Sequence, residues 1–102
     1  MVKLIAIIAD WEKGSEYLIA ASKEVSEKLG VKLEVRKEDW DFLTQYGEKD
    51  EFGGVDIPQL FIQTESGKIL HVMTRTPLTS DGKPDIEAAK KKIIEMLEGA
   101  RS

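Results

Sequence analysis

The first 36 residues change hydrophobic period twice, and that constrains the fold more than any other feature of the chain. Residues 2–9, VKLIAIIA, form a nearly unbroken apolar run rich in β-branched side chains. Such a run suits a short strand covered on both faces. From Ser15 to Leu29 the spacing becomes helical, with Leu18, Ala21, Val25 and Leu29 on one stripe and Lys23, Glu24, Glu27 and Lys28 opposite. Gly30 is placed to end that helix as its C-terminal cap. Residues 31–36, VKLEVR, then alternate Val31, Leu33 and Val35 with Lys32, Glu34 and Arg36, the mark of a strand with one wet face. A helix of this length between two strands makes a βαβ crossover, so the two strands are expected to lie parallel in one sheet.

The remainder completes that sheet. A shorter helix is expected around Glu38–Tyr46, with Trp40, Phe42 and Leu43 facing inward, followed by a loop over 47–56, GEKDEFGGVD. A third strand opens at Ile57-Pro58-Gln59-Leu60-Phe61-Ile62. The turn Glu65-Ser66-Gly67-Lys68 leads into a fourth, Ile69–Thr74, and the pair reads as an antiparallel hairpin. The loop 76–84 leads to a last helix that aligns Ile86, Ala89, Ile93 and Leu97, with Asp85 near its start, Pro84 at its first turn and Gly99 at its end. The expected class is α/β, order β-α-β-α-β-β-α, with a four-stranded mixed sheet, helices on both faces, and one domain over 1–102.

Composition narrows the functions open to such a domain. A formal charge of −4 and a pI near 5.0 speak against binding along a nucleic-acid backbone, which needs clustered Lys and Arg. The run Lys90-Lys91-Lys92 falls in a Glu-rich helix and reads as a solvated face. No apolar run approaches the roughly 18 residues of a membrane helix, and the first strand lacks the features of a signal peptide. A cytoplasmic protein without membrane contact is expected. The chain contains no cysteine and no asparagine. The loss of both, beside abundant Lys and Glu, fits a thermophilic source.

The strand-to-helix turn, Ala9-Asp10-Trp11-Glu12-Lys13-Gly14-Ser15-Glu16, is the first place to look for function. This turn, the element order and the Ile57-Pro58 that opens the hairpin together resemble the thioredoxin fold, in its thioredoxin and small glutaredoxin-like versions. The resemblance spans nearly the whole chain. Thioredoxins carry Trp-Cys-x-x-Cys where this chain has Trp11-Glu12-Lys13-Gly14-Ser15, so Glu12 and Ser15 stand in place of the two cysteines. The family's second mark is a cis proline at the hairpin strand, matched by Pro58. A cis X-Pro bond costs only about 0.5–1 kcal/mol over trans. The buried acid that thioredoxins place six residues before the first cysteine is matched by Ala6. Dithiol exchange is excluded independently of any resemblance, because it requires a thiolate attacking a sulfur.

The resemblance implies a redox-inactive module that binds a protein or peptide through Trp11, Glu12, Lys13, Gly14, Ser15, Ile57 and Pro58, with substrate main chain pairing to the residue before the proline. Two alternatives stay open: a non-thiol enzyme using Glu12 as acid or base with Ser15 or a water, and a structural subunit of an assembly. Asp10, Glu12 and Asp56 are candidates for an acidic cluster only if the fold brings them together. Ser15 is equally explained as the cap of the first helix, with Glu16 against the helix dipole. His71 is the one histidine and no third triad member is visible, so no catalytic residue is assigned. Neither a metal site nor a cofactor is expected. Oligomeric state is left open.

Overall fold

The computed structural model describes residues 1–101; of the single domain expected over 1–102, Ser102 lies outside the described residues. Its elements are β1 (Lys3–Ile8), α1 (Gly14–Leu29), β2 (Lys32–Lys37), α2 (Trp40–Tyr46), β3 (Gln59–Gln63), β4 (Ile69–Thr74) and α3 (Ile86–Arg101). The four strands form one sheet in the order β2-β1-β3-β4. β1 and β2 are parallel, registered from Lys3 opposite Lys32 to Ile8 opposite Lys37. β3 runs antiparallel to both β1 and β4. The expected element order and mixed α/β sheet are thus present. Among the described residues no helix is long and apolar enough to cross a membrane.

β1 is apolar from Leu4 to Ile8 because it is an inner strand with a core on each face. Leu4, Ala6 and Ile8 pack with Leu18, Ala21 and Val25 of α1 and Ala89, Ile93 and Leu97 of α3. Ile5, Ile7 and Ala9 pack on the other side with Phe42 and Leu43 of α2, together with Ile57 and Phe61. The alternation of a strand and the three-to-four-residue repeat of a helix meet here in register.

Several local expectations are corrected. Val31 is buried, but Val35 keeps 43% of its surface exposed because β2 is an edge strand. Its other face carries Glu34, bonded to Lys3 and Arg36, and the Arg36 guanidinium lies 5.0 Å from the centre of the Phe42 ring. Charges of this kind guard an edge against pairing with other chains. Hydrogen bonds from Lys3 and then Arg36 hold the Glu34 carboxyl below its ordinary pKa. Trp40 is 42% exposed rather than inward-facing. At about 100° per residue it lies about 110° around α2 from the centre of the Phe42–Leu43 stripe. α3 runs past Gly99 to Arg101, since Ala100 still packs on the core. Pro84 precedes that helix rather than entering it, and Asp85 caps it by accepting from the Ala88 N–H at 2.9 Å. β3 begins at Gln59, not Ile57, because Pro58 has no N–H to give to a ladder.

A bulge in β4 sets a feature that strict alternation would forbid. Leu60 pairs with Met73 and Phe61 with His71, leaving Val72 as the extra residue. Val72 and Met73 therefore both enter the core under α1 and α3, while His71 and Thr74 share the opposite face. His71 Nε2 lies 2.9 Å from Thr74 Oγ1 and its ring meets Phe61 edge-on.

Candidate functional site

The turn after β1 is built by its own main chain. The Glu12 N–H donates to Ala9 C=O at 3.2 Å, Ser15 N–H to Glu12 C=O at 3.1 Å and Glu16 N–H to Lys13 C=O at 3.2 Å. α1 starts at Gly14, with Lys13 as its cap residue and no side-chain cap bond from it. Ser15 is thus already inside the helix, and the capping role expected of it is corrected. Its hydroxyl accepts from the Ala9 N–H at 3.2 Å and the residue is 3% exposed. Glu12 does the work nearest to a cap, its carboxylate accepting from the Gly14 N–H. A carboxylate there is favoured by the positive end of the helix dipole.

These assignments leave little for acid–base or nucleophilic chemistry. The Ser15 hydroxyl is buried on a main-chain amide, and His71, away on β4, is bonded to Thr74 of the same strand. Burial, the largest influence, pushes the His71 pKa below its ordinary value, Glu48 opposing and Lys92 reinforcing the shift. Asp10, Glu12 and Asp56 do not gather into one acidic cluster. Asp10 pairs with Lys37 at 3.2 Å, Asp56 with Arg75 at 3.6 Å, and Glu12 holds Gly14. Among the described residues no three potential metal ligands come together.

The proline edge does lie against the turn. The Ile57–Pro58 peptide is cis, and a Cβ placed on Gly14 would stand 3.7 Å from Pro58 Cδ and 3.0 Å from Glu12 Oε1. A glycine at 14 leaves room for the Glu12 carboxylate and the Pro58 ring on the same amide. Pro58 is held from behind, its C=O accepting from the Arg75 N–H at 2.9 Å. Arg75 adopts a φ of 66°, uncommon for a residue with a side chain. Ile57 is 4% exposed and packs in the core under α2. Among the described residues, neither its N–H nor its C=O has a hydrogen-bond partner.

Trp11 sits otherwise than the proline edge would ask. It is 66% exposed and its Nε1 donates to a Glu38 carboxylate oxygen at 3.2 Å. Glu38 follows β2 and is anchored to the end of β1, its N–H donating to Ile8 C=O at 2.8 Å. Trp11 and Pro58 therefore flank the Gly14 turn from opposite sides of β1. Glu12, Gly14 and Pro58 come together; Ser15 faces inward and Lys13 outward.

Gln59 is the residue that sequence reasoning missed. It is fully buried, and its amide reaches across to the loop over 47–56. Oε1 accepts from Glu48 N–H at 2.8 Å, while Nε2 donates to the carbonyls of Glu48 at 3.2 Å and Asp56 at 2.9 Å. This one side chain ties both ends of the loop to the start of β3, directly after Pro58. A polar amide at the head of an apolar strand was the available signal. The loop's interior is organised by Asp50, whose carboxylate accepts from the N–H groups of Phe52 and Gly54, each at 2.9 Å. On the far side of Pro58, the Thr76 hydroxyl is buried and, among the described residues, has no hydrogen-bond partner. The loop expected to lead into α3 closes on itself through Thr79 and Lys83.

Two surface hollows lie away from this edge. One, of about 200 Å³, is between α1 and α3 and contains Lys90 held by Glu24 and Glu87; the other, of about 340 Å³, is beside Lys3 and Gln63. No family model matches the chain, and neither a curated protein nor a solved structure does.

Proposed function

We propose that the chain is a redox-inactive domain of the thioredoxin-like type that binds an extended segment of another polypeptide along Ile57–Pro58 and the turn from Trp11 to Ser15. The unpartnered main chain of Ile57 carries this reading. Buried main-chain N–H and C=O groups are paired in more than about 90% of cases, because leaving one unmet costs as much as a lost hydrogen bond. A donor and an acceptor left open on one residue, 4% exposed and beside a cysteine-free turn, are the two groups an incoming strand satisfies. Trp11, two-thirds exposed, adds apolar area of the kind that anchors interfaces. With no sulfur in the chain beyond methionine, the contact holds a partner without exchanging electrons with it.

The test compares the protein with a Trp11→Ala, Pro58→Ala double variant. The parent retains unfolded or extended polypeptides on an affinity matrix, and the Ile57 amide resonance shifts and exchanges more slowly when they bind. The double variant, folded by circular dichroism, captures several-fold less. Equal capture by the two proteins, or an unmoved Ile57 amide in the loaded parent, refutes the reading.

A further inference from the structure

Which polypeptide this edge accepts is written in the charge around it. The sheet brings the segments 10–13, 37–39, 47–58 and 75–85 to one end, because β1, β2 and β4 finish there and β3 begins there. Those segments hold ten Asp and Glu against five Lys and Arg. From the chain's totals of 19 and 15, nine acids and ten bases remain elsewhere. The whole negative balance of the protein therefore sits at the end that carries Ile57 and Pro58.

Part of that charge is left uncompensated close to the edge. Asp10 and Asp56 are paired to Lys37 and Arg75. Among the described residues, Glu12 beside Gly14, Glu38 beside the Trp11 indole and Glu48, whose main chain bonds the Gln59 amide, have no cation within ion-pair distance, and Glu38 and Glu48 are exposed. Trp11 and Phe52, the latter 89% exposed, offer aromatic faces at the same end. Aromatic faces and nearby carboxylates attract Lys and Arg together. The open N–H and C=O of Ile57 and the unmet Thr76 hydroxyl beside Arg75 show, independently of the charge, that polar groups here lack partners.

We infer that the occupant of the Ile57–Pro58 edge is a basic extended segment: its main chain pairs with Ile57, and its Lys or Arg side chains meet Glu12, Glu38, Glu48 and the face of Trp11. This rests on the binding reading above and adds the partner's chemistry to it. Opposite charge of this type sets selectivity and association rate and weakens with salt.

Three fluorescent peptides of one extended, Val- and Thr-rich framework, carrying four Lys, four Gln or four Glu, separate the two levels of the claim. Anisotropy titration is expected to give the Lys peptide about tenfold tighter binding than the Gln peptide at low salt. That advantage shrinks to about twofold at 300 mM salt as the charges are screened. Glu38→Gln with Glu48→Gln erases most of the advantage, and so does adding Glu12→Gln, which retains an oxygen for the Gly14 N–H. If the Gln or Glu peptide binds as tightly as the Lys peptide while the Ile57 amide shifts, the basic-partner inference is overturned and the edge reading stands. If the Lys peptide binds without moving the Ile57 amide, the attraction is diffuse and the inference is overturned. If no peptide binds, the edge reading falls and the inference with it.

Discussion

Replacing Gln59 by leucine tests the idea that one buried amide fastens the loop over 47–56 to the proline strand. Gln59→Leu keeps the volume nearly unchanged but removes one bond to the Glu48 N–H and two to the carbonyls of Glu48 and Asp56. At about 1 kcal/mol net each, these bonds contribute about 3 kcal/mol. A buried leucine recovers about 1 kcal/mol through its apolar surface, leaving a loss of about 2 kcal/mol. For a domain of this size that lowers the melting temperature by about 8–16 °C. Exchange of the Glu48 amide should accelerate by about 30-fold, since about 1.4 kcal/mol is tenfold. Gln59→Glu sharpens the test, because it sets a carboxylate against two carbonyls. Burial without a donor raises the introduced group's folded pKa above its unfolded value near 4.3. The penalty is therefore absent at low pH and grows as pH rises from that value through the folded pKa. Urea denaturation and amide exchange measure both variants. A change below about 0.5 kcal/mol in Gln59→Leu, with Glu48 exchange untouched, would show that the loop is held by something else.

Three further outcomes are expected. Gly47→Ala places a Cβ 2.6 Å from the Leu43 carbonyl oxygen and 3.2 Å from Gln59 Oε1, which costs about 1–3 kcal/mol by overpacking in a denaturation curve. In a Glu12→Cys, Ser15→Cys variant, the two positions span a turn closed by the Ser15 N–H on Glu12 C=O, so mild oxidation forms an intramolecular disulfide that a reductant reopens. Persistent free thiols by chemical titration would refute that turn geometry. Because burial lowers the folded pKa of His71 beneath its ordinary 6.5, the unfolded chain binds its proton first as pH falls. Its contribution is fully present above about 6.5 and is lost as pH falls through the folded value. Stability curves measured from pH 8 to 5 should be flatter for His71→Gln than for the parent.

The legible parts of this protein are those that local sterics decide. An apolar run, a 3.6-residue repeat closed by Gly30 and an alternating run forecast β1, α1 and β2, and Ile57–Thr74 forecast the hairpin. Side-chain period follows from backbone geometry and needs no distant partner. Trp11, Gly14 and Pro58 were legible as candidates because turns and prolines mark themselves locally. Their arrangement was not. That Trp11 bonds to Glu38, across the turn from Pro58, depends on β2 flanking β1 on the side away from β3.

The exposure of Val35 and Trp40 likewise depends on which strand is the edge and how two turns of helix lie on the sheet. The bulge at Val72 puts His71 beside Thr74 against the expected alternation. Gln59 is the clearest case: its three partners belong to residues 48 and 56, which only the folded loop delivers to it. By itself, the chain's order of residues determined the periods, the element order and the absence of cysteine. The tertiary structure decided which polar groups found partners and which, like the main chain of Ile57, were left open, because hydrogen bonds between distant segments exist only after the chain has packed.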